Sequence, residues 1–215
     1  MKETGLMFKA PLVRAILSGQ KTQTRRIAKD VRHPDLGNWY TPGALALEGE
    51  PPHVIHRACP LGQPGDRIYV RETFLQGYDY DPVADRLKQY DEDGNELPKK
   101  TWFRATDNHI SWTDEDGWET NTPWKPAIHM PKALARIWLE ITGVRVERLQ
   151  AISEEDAEAE GVGFLRSVPD ADETLTAKQL FECLWDSTGG DWAANPWVWV
   201  IDFKRIDQPA PKEAP

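Results

Sequence analysis

Apolar residues recur along the chain with two periods, and each period predicts a different kind of element. Over residues 11–18, Leu12, Ala15, Ile16 and Leu17 share one helical face, Pro11 suits the first turn, and Gly19 is a natural stop. Directly after it, Gln20-Lys21-Thr22-Gln23-Thr24-Arg25-Arg26 alternates its two threonines. That alternation predicts a strand from about Thr22, with Thr22, Thr24 and Arg26 on one face and Lys21 in the preceding turn. Four further strands are expected. Residues 67–72 follow the turn signal Pro64-Gly65-Asp66, and residues 101–105 follow Asp93-Gly94-Asn95. Residues 135–147 alternate, with Gly143 as a bulge or bend, and residues 197–206 open apolar on both faces, as a fully buried strand does.

Two more helices fit between these strands. Ser153-Glu154-Glu155-Asp156 has the form of a capping arrangement for a short helix that Gly161 ends. Residues 176–187 place Leu180, Phe181, Leu184 and Trp185 on one face. Strands mixed with short helices, without a βαβ rhythm, predict an α+β fold built on a small mixed barrel. Residues 76–126 are rich in Asp, Tyr, Trp and Gly and read as an insertion within one domain spanning 1–207. The tail 208–215 has nothing to bury and reads as disordered.

Composition narrows the class. A chain of 215 residues with 40% hydrophobic content and ten Trp can fill a core. No stretch approaches the roughly 20 apolar residues of a membrane span, and the N-terminus lacks a signal-peptide core, so a cytoplasmic protein with no membrane partner is expected. Two cysteines fit that compartment. The net charge of −9 argues against broad coating of nucleic acid, while leaving room for a local basic pocket. No Gly-rich phosphate loop or G-x-S-x-G elbow is present.

The charge is unevenly spread. Residues 14–32 hold Arg14, Lys21, Arg25, Arg26, Lys29 and Arg32 against Asp30 alone. One reading is an edge strand guarded by charge. The other is a pocket for a polar or anionic ligand, in which cationic neighbours depress the Lys21 pKa and make it a general base able to activate Thr24. His53-x-x-His56-x-x-Cys59 has the look of a metal site, but it offers three ligands in a loop bracketed by prolines. No metal and no cofactor are expected. Trp124 can stack a nucleobase or fill the core, and His129 can touch a ligand or serve the fold.

Gly19-x-Lys21-x-x-x-x-Arg26 resembles the signature of ASCH domains, a branch of the PUA-like superfamily. Further segments resemble phage and prophage members of that family. They are Gly65-Asp66 leading into Val70-Arg71-Glu72-Thr73-Phe74, Trp124-Lys-Pro-Ala-Ile-His129-Met130-Pro131, and Val198-Trp-Val-Ile-Asp-Phe-Lys204. The resemblance covers most of residues 5–206 apart from the insertion, and it implies a PUA-like β-barrel. Some small ASCH proteins are amidohydrolases of N4-acetylcytidine that use a Lys base, a Thr nucleophile and a Glu acid. The matching positions here are Lys21, Thr24 and, at the end of Ile152-Ser-Glu-Glu-Asp-Ala-Glu-Ala-Glu160, Glu160. The last turn of a helix is a position that favours a protonated carboxyl. Arg26, Arg71, Glu72, Trp124 and His129 are the candidate substrate-binding residues for a modified nucleoside; Arg26 can hold the substrate or orient Glu160, and Arg26 and Arg71 can equally partner strand acids. This chain is longer than the small amidohydrolases and carries the insertion that they lack. The alternative implied is a PUA-like module that binds RNA, with ribonuclease activity.

Overall fold

The structure is a computed structural model that describes residues 1–81, 86–110, 112–113, 118–167 and 174–209. Contacts gather these into two compact units, residues 1–6, 11–70 and 136–215 in the first and residues 7–10 and 71–135 in the second. The expected insertion at 76–126 lies partly outside the described residues, and of the expected tail 208–215 only 208 and 209 fall within them.

The main sheet of the first unit has five strands among the described residues: β1 (Glu3–Met7), β2 (Gln23–Ile27), β3 (Arg67–Arg71), β4 (Trp138–Arg148) and β5 (Trp197–Ile206). They form one sheet in the order β1-β3-β4-β5-β2. β5 runs antiparallel to β4 on one side and to β2 on the other, with Ile201 opposite both Val144 and Thr24. Flanked on both edges and covered on both faces, β5 buries Val198, Trp199, Val200 and Ile201 almost completely. That explains why this segment abandons alternation. Gly143 interrupts the β4 ladder as a bulge, and a Cβ there would stand 2.6 Å from Asp202 Oδ2. The α+β class is as expected. Closure into a barrel is not: among the described residues the strand order ends at β1 and β2 without a ladder joining them.

Among the described residues five α-helices accompany the sheet: α1 (Ala10–Leu17), α2 (Pro42–Leu47), α3 (Pro52–Ala58), α4 (Glu154–Ala159) and α5 (Ala177–Ser187). α5 opens with a capping box, Thr176 and Gln179 each satisfying the other's backbone N–H. Its apolar face, Leu180, Phe181, Leu184 and Trp185, packs with Ala157, Leu149, Ile152 and Val162 onto Val198 and Val200. Full burial of such a side chain stabilises by about 1.5–3 kcal/mol, so this layer fixes α4 and α5 over one face of β5. The expected proline-bracketed loop around His53 is instead α3, because Pro52 sits in the first turn, where its missing N–H is harmless. No described helix is long and apolar enough to cross a membrane.

Within the second unit, strands Phe74–Gly77 and Lys100–Phe103 pair antiparallel, with Phe74 opposite Phe103. The strand expected at 101–105 therefore ends earlier, where Phe103 O begins a turn by accepting from Thr106 N and Asp107 N.

Candidate active site

The site is assembled where the start of β2 meets the end of α4. Lys21 N donates to Ala15 O at 3.0 Å, Thr22 N to Ala159 O at 2.9 Å, and Phe203 N to Thr22 O at 2.8 Å. Thr22 thus serves as a backbone bridge ahead of the strand, and β2 begins at Gln23. The Ser153 hydroxyl caps α4 by accepting from Asp156 N at 3.1 Å. At the other end, Glu160 closes the helix and Gly161 leaves it with φ +80°. A Cβ on Gly161 would lie 2.8 Å from Lys21 Cβ and 2.9 Å from Ala15 Cβ. Glycine therefore meets two demands here, a left-handed backbone and the close approach of Lys21.

That approach places the Lys21 ammonium against the end of α4. Nζ donates to Glu160 Oε2 at 2.6 Å, to Glu160 O at 2.8 Å and to Gln23 O at 2.6 Å. Three acceptors match the three N–H bonds of an ammonium. Lys21 is 2% exposed and Glu160 3%. Burial holds the Lys21 pKa below the usual lysine value; the Glu160 charge and hydrogen bond oppose the shift, and Arg26 and Arg25 add to it. The downward direction is the one expected. Its main cause is loss of water, with the cationic neighbours as lesser contributors.

Strand register then sorts the remaining groups. Thr24 and Arg26 lie on one face of β2, opposite Ile201 and Trp199 of β5. Arg26 Nη1 donates to Thr24 Oγ1 at 2.8 Å and to Arg25 O at 2.9 Å, and the Thr24 side chain is buried. Burial lowers the Arg26 pKa against the pull of the Glu160 charge.

Gln23 and Arg25 take the other face. Arg25 Nη1 donates to Glu160 Oε1 at 3.2 Å and to Gln23 Oε1, while Nη2 reaches Glu147 Oε1 at 2.6 Å and Asp156 Oδ2 at 3.1 Å. Gln23 Nε2 donates to Asp156 Oδ1 at 3.0 Å and to Asp202 Oδ1 at 2.7 Å. Arg145 closes the network with Asp156, Asp202 and Glu147 at 2.5, 3.0 and 3.2 Å. Burial alone would raise the Asp156 pKa, but the Gln23 amide and the Arg145 and Arg25 charges hold it below the usual carboxylate value. Lys21, Arg25 and Arg145 pair directly with Glu147, Asp156, Glu160 and Asp202, and Arg26 acts on Glu160 through its charge, so four cations balance four acids.

Lys21 and Glu160 are thus brought together, and Thr24 and Arg26 are joined to each other. Gln23, Glu147, Arg145 and Asp202 belong to the cluster without having been singled out in the sequence, where Arg25 stood only in a basic run and Asp156 only at the start of a helix. Two signals point to part of it: Asp156 precedes Glu160 by four residues, one helical turn, and Gln23 and Arg25 alternate as Thr24 and Arg26 do.

The other candidates lie in the second unit. Arg71 Nε donates to Met130 O at 3.1 Å and Nη2 to Ile128 O, so its guanidinium anchors the chain around residues 128–130. Glu72 is buried, with its N–H directed at Met130 Sδ at 3.2 Å. Trp124 is half-buried and lines a cleft of about 590 Å³ with Arg104, Asn121, Thr122 and Pro123. His129 is exposed. In the first unit, burial pushes the Cys59 thiol pKa up at the end of α3. Among the described residues no group of three or more His, Cys, Asp or Glu is arranged to hold a metal ion.

No protein-family model matches the sequence, and no curated protein matches it. Two solved structures are similar to the chain. One is an ASCH domain from Lactobacillus crispatus JV V101, at 14% identity over 96% of this chain and 81% of that chain, with a TM-score of 0.36. The other is a DUF984 protein from Enterococcus faecalis V583, at 12% identity over 100% of this chain and 87% of that chain, with a TM-score of 0.35.

Proposed function

We propose that this protein is a PUA-like ASCH amidohydrolase that removes the acyl group from the exocyclic amine of N4-acylated cytidine or a related nucleoside. The observation that carries the reading is the buried pair of Lys21 Nζ and Glu160 Oε2, 2.6 Å apart beside the strand that holds Thr24. A base and an acid are needed in the same step, and this pair supplies both from one shared proton. Transfer of that proton from the ammonium to the carboxylate leaves a neutral amine and a neutral acid, and burial of Lys21 favours the transfer.

The Lys21 amine takes the Thr24 hydroxyl proton as Oγ1 attacks the acyl carbonyl carbon. The carbon–nitrogen bond breaks, and Glu160 gives its proton to the departing amine of the base. The acyl group is then an ester on Thr24. Water attacks that ester, yielding one proton to the Glu160 carboxylate, while Lys21 returns its extra proton to Oγ1. Arg26 already donates to Thr24 Oγ1, and turning that donor toward the acyl oxygen places a cation where negative charge develops. The balanced charge of the cluster suits an uncharged amide.

The test is to incubate the purified protein with N4-acetylcytidine and follow cytidine release. Loss of about 100-fold or more is expected in Lys21→Ala and in Thr24→Ala, on the scale of acid–base and nucleophilic contributions. Turnover undiminished in both variants would overturn the assigned roles, and an inactive wild-type protein would overturn the substrate assignment.

A further inference from the structure

Glu160 is held by two cations, and only one of them, Lys21, has a role in the chemistry above. The second is Arg25, a residue 2% exposed whose guanidinium donates to Glu160 Oε1 at 3.2 Å while Lys21 holds Oε2 at 2.6 Å. The two carboxylate oxygens are thereby given different partners, which fixes the rotation of the carboxylate. A carboxyl held at one oxygen alone turns about its terminal torsion, which is broad.

Arg25 is itself fixed from behind. Glu147 Oε1 at 2.6 Å and Asp156 Oδ2 at 3.1 Å share Nη2, and Gln23 Oε1 accepts from Nη1. Its Cζ lies over the Phe181 ring, 5.7 Å from the ring centre. These anchors come from β2, β4, α4 and α5, so each element beneath the site contributes to one side chain. A planar fork suits this work in a way a point charge does not, because it reaches Glu160 and Glu147 along different directions from a rigid plane. Arg145, tied to Asp156 and Glu147, holds those acids in turn.

We infer that Arg25 is a positioning residue: it aims the Glu160 carboxylate so that Oε2 stays on Lys21, with Glu147 and Asp156 as the counter-charges that hold Arg25 in place. The inference deepens the hydrolase reading, since its kinetic consequence rests on that reading. Its structural consequence does not, and the two are read separately.

The structural arm follows the Lys21 side-chain ammonium by nitrogen–proton correlation NMR, without substrate. In the wild-type protein a buried ammonium with three acceptors exchanges its protons slowly enough to give a signal. In Arg25→Met that signal is expected to vanish or broaden beyond detection while the backbone amide spectrum stays folded, and in Arg25→Lys to be weakened. Persistence of an unchanged signal in folded Arg25→Met would overturn the inference. Should Arg25→Met not fold, Glu147→Gln supplies the same test. It leaves Arg25 and Glu160 intact and loosens the hold on Nη2, and it is expected to speed ammonium exchange at least about 3-fold, where an unchanged rate would be the contrary result.

The kinetic arm uses N4-acetylcytidine. Arg25→Met is expected to lower kcat by about 10- to 100-fold with KM within about 3-fold, and Arg25→Lys to recover part of the loss. A KM effect with unchanged kcat would contradict positioning of the acid. If wild-type protein releases no cytidine, the hydrolase reading fails, and the NMR arm still decides whether Arg25 aims Glu160.

Discussion

Lys21 Nζ and Glu160 Oε2 stand 2.6 Å apart although 139 residues separate them in the chain, and both side chains are almost fully buried. Desolvating two charges is repaid only where geometry and further hydrogen bonds are good. Both conditions hold here, since Nζ has two carbonyl acceptors besides the carboxylate and Oε1 has Arg25.

Removing one member of this pair strands the other. Lys21→Met and Glu160→Gln are each expected to destabilise the fold by about 3–5 kcal/mol in denaturant titrations. The double variant is expected to lose less than the sum, with a coupling of at least about 1 kcal/mol. Additive losses would mean that the pair is not coupled.

Gly161 allows the contact to exist. Gly161→Ala places a Cβ within 2.8 Å of Lys21 Cβ on a backbone at φ +80°. The left-handed conformation alone costs about 1–2 kcal/mol for a residue with a side chain, and the displaced lysine adds to it. The melting temperature is expected to fall, and cytidine release to fall with it even where the protein remains fully folded. A variant of wild-type stability and turnover would show that the close approach is dispensable.

Thr24 can be separated from its surroundings by shape. Thr24→Val keeps the volume, removes the hydroxyl and takes away an acceptor of Arg26 Nη1. Release of cytidine is expected to be lost, whereas Thr24→Ser retains a measurable fraction. The stability change in Thr24→Val is expected to be about 1 kcal/mol, the net worth of one hydrogen bond, because Arg26 Nη1 keeps Arg25 O. Equal activity in the Val and Ser variants would rule the hydroxyl out as nucleophile.

The pH dependence has a definite sign at both ends. The folded-state pKa of Lys21 lies below the usual 10.5. Between those two values the unfolded chain binds one proton more than the folded chain, so Lys21 makes the fold more stable as pH rises through that window. Wild-type stability measured relative to Lys21→Met should therefore climb on the alkaline side. Asp156 acts in acid: its folded pKa lies below 3.8, so the stability it confers is complete above that value and is lost as pH falls through the folded pKa. Asp156→Asn should flatten the acid limb of the stability curve. The opposite slope in either comparison would contradict the assigned causes.

Much of the frame could be read along the chain. Residues 197–206 announce a buried strand by their apolar run, and β5 has those bounds. Gly143 marks a bulge that β4 contains, and the shared face of Leu180, Phe181, Leu184 and Trp185 marks α5. Local signals of this kind depend on neighbours in sequence and survive folding. α3 was not legible, because Pro51-Pro52 reads as a break until it is known that Pro52 fills a first turn. Lys21 stood out in its basic run, but its pairing with Glu160 was legible only through family resemblance, since no local rule relates positions so far apart. Arg25 was not legible because its neighbour Arg26 carries the same charge. Which of the two turns toward Glu160 is set by the register of β2 on β5, where Thr24 lies opposite Ile201 and Arg25 opposite Val200.

Covalent transfer to Thr24 is the step on which the account turns, and it can be observed directly. The protein is mixed with N4-acetylcytidine carrying an isotopically labelled acetyl group, quenched in acid during turnover, digested and examined by peptide mass spectrometry. Labelled acetyl is expected on the peptide containing Thr24 in the wild-type protein and not in Thr24→Val. Cytidine release without label on Thr24, or release retained by Thr24→Val, would contradict it.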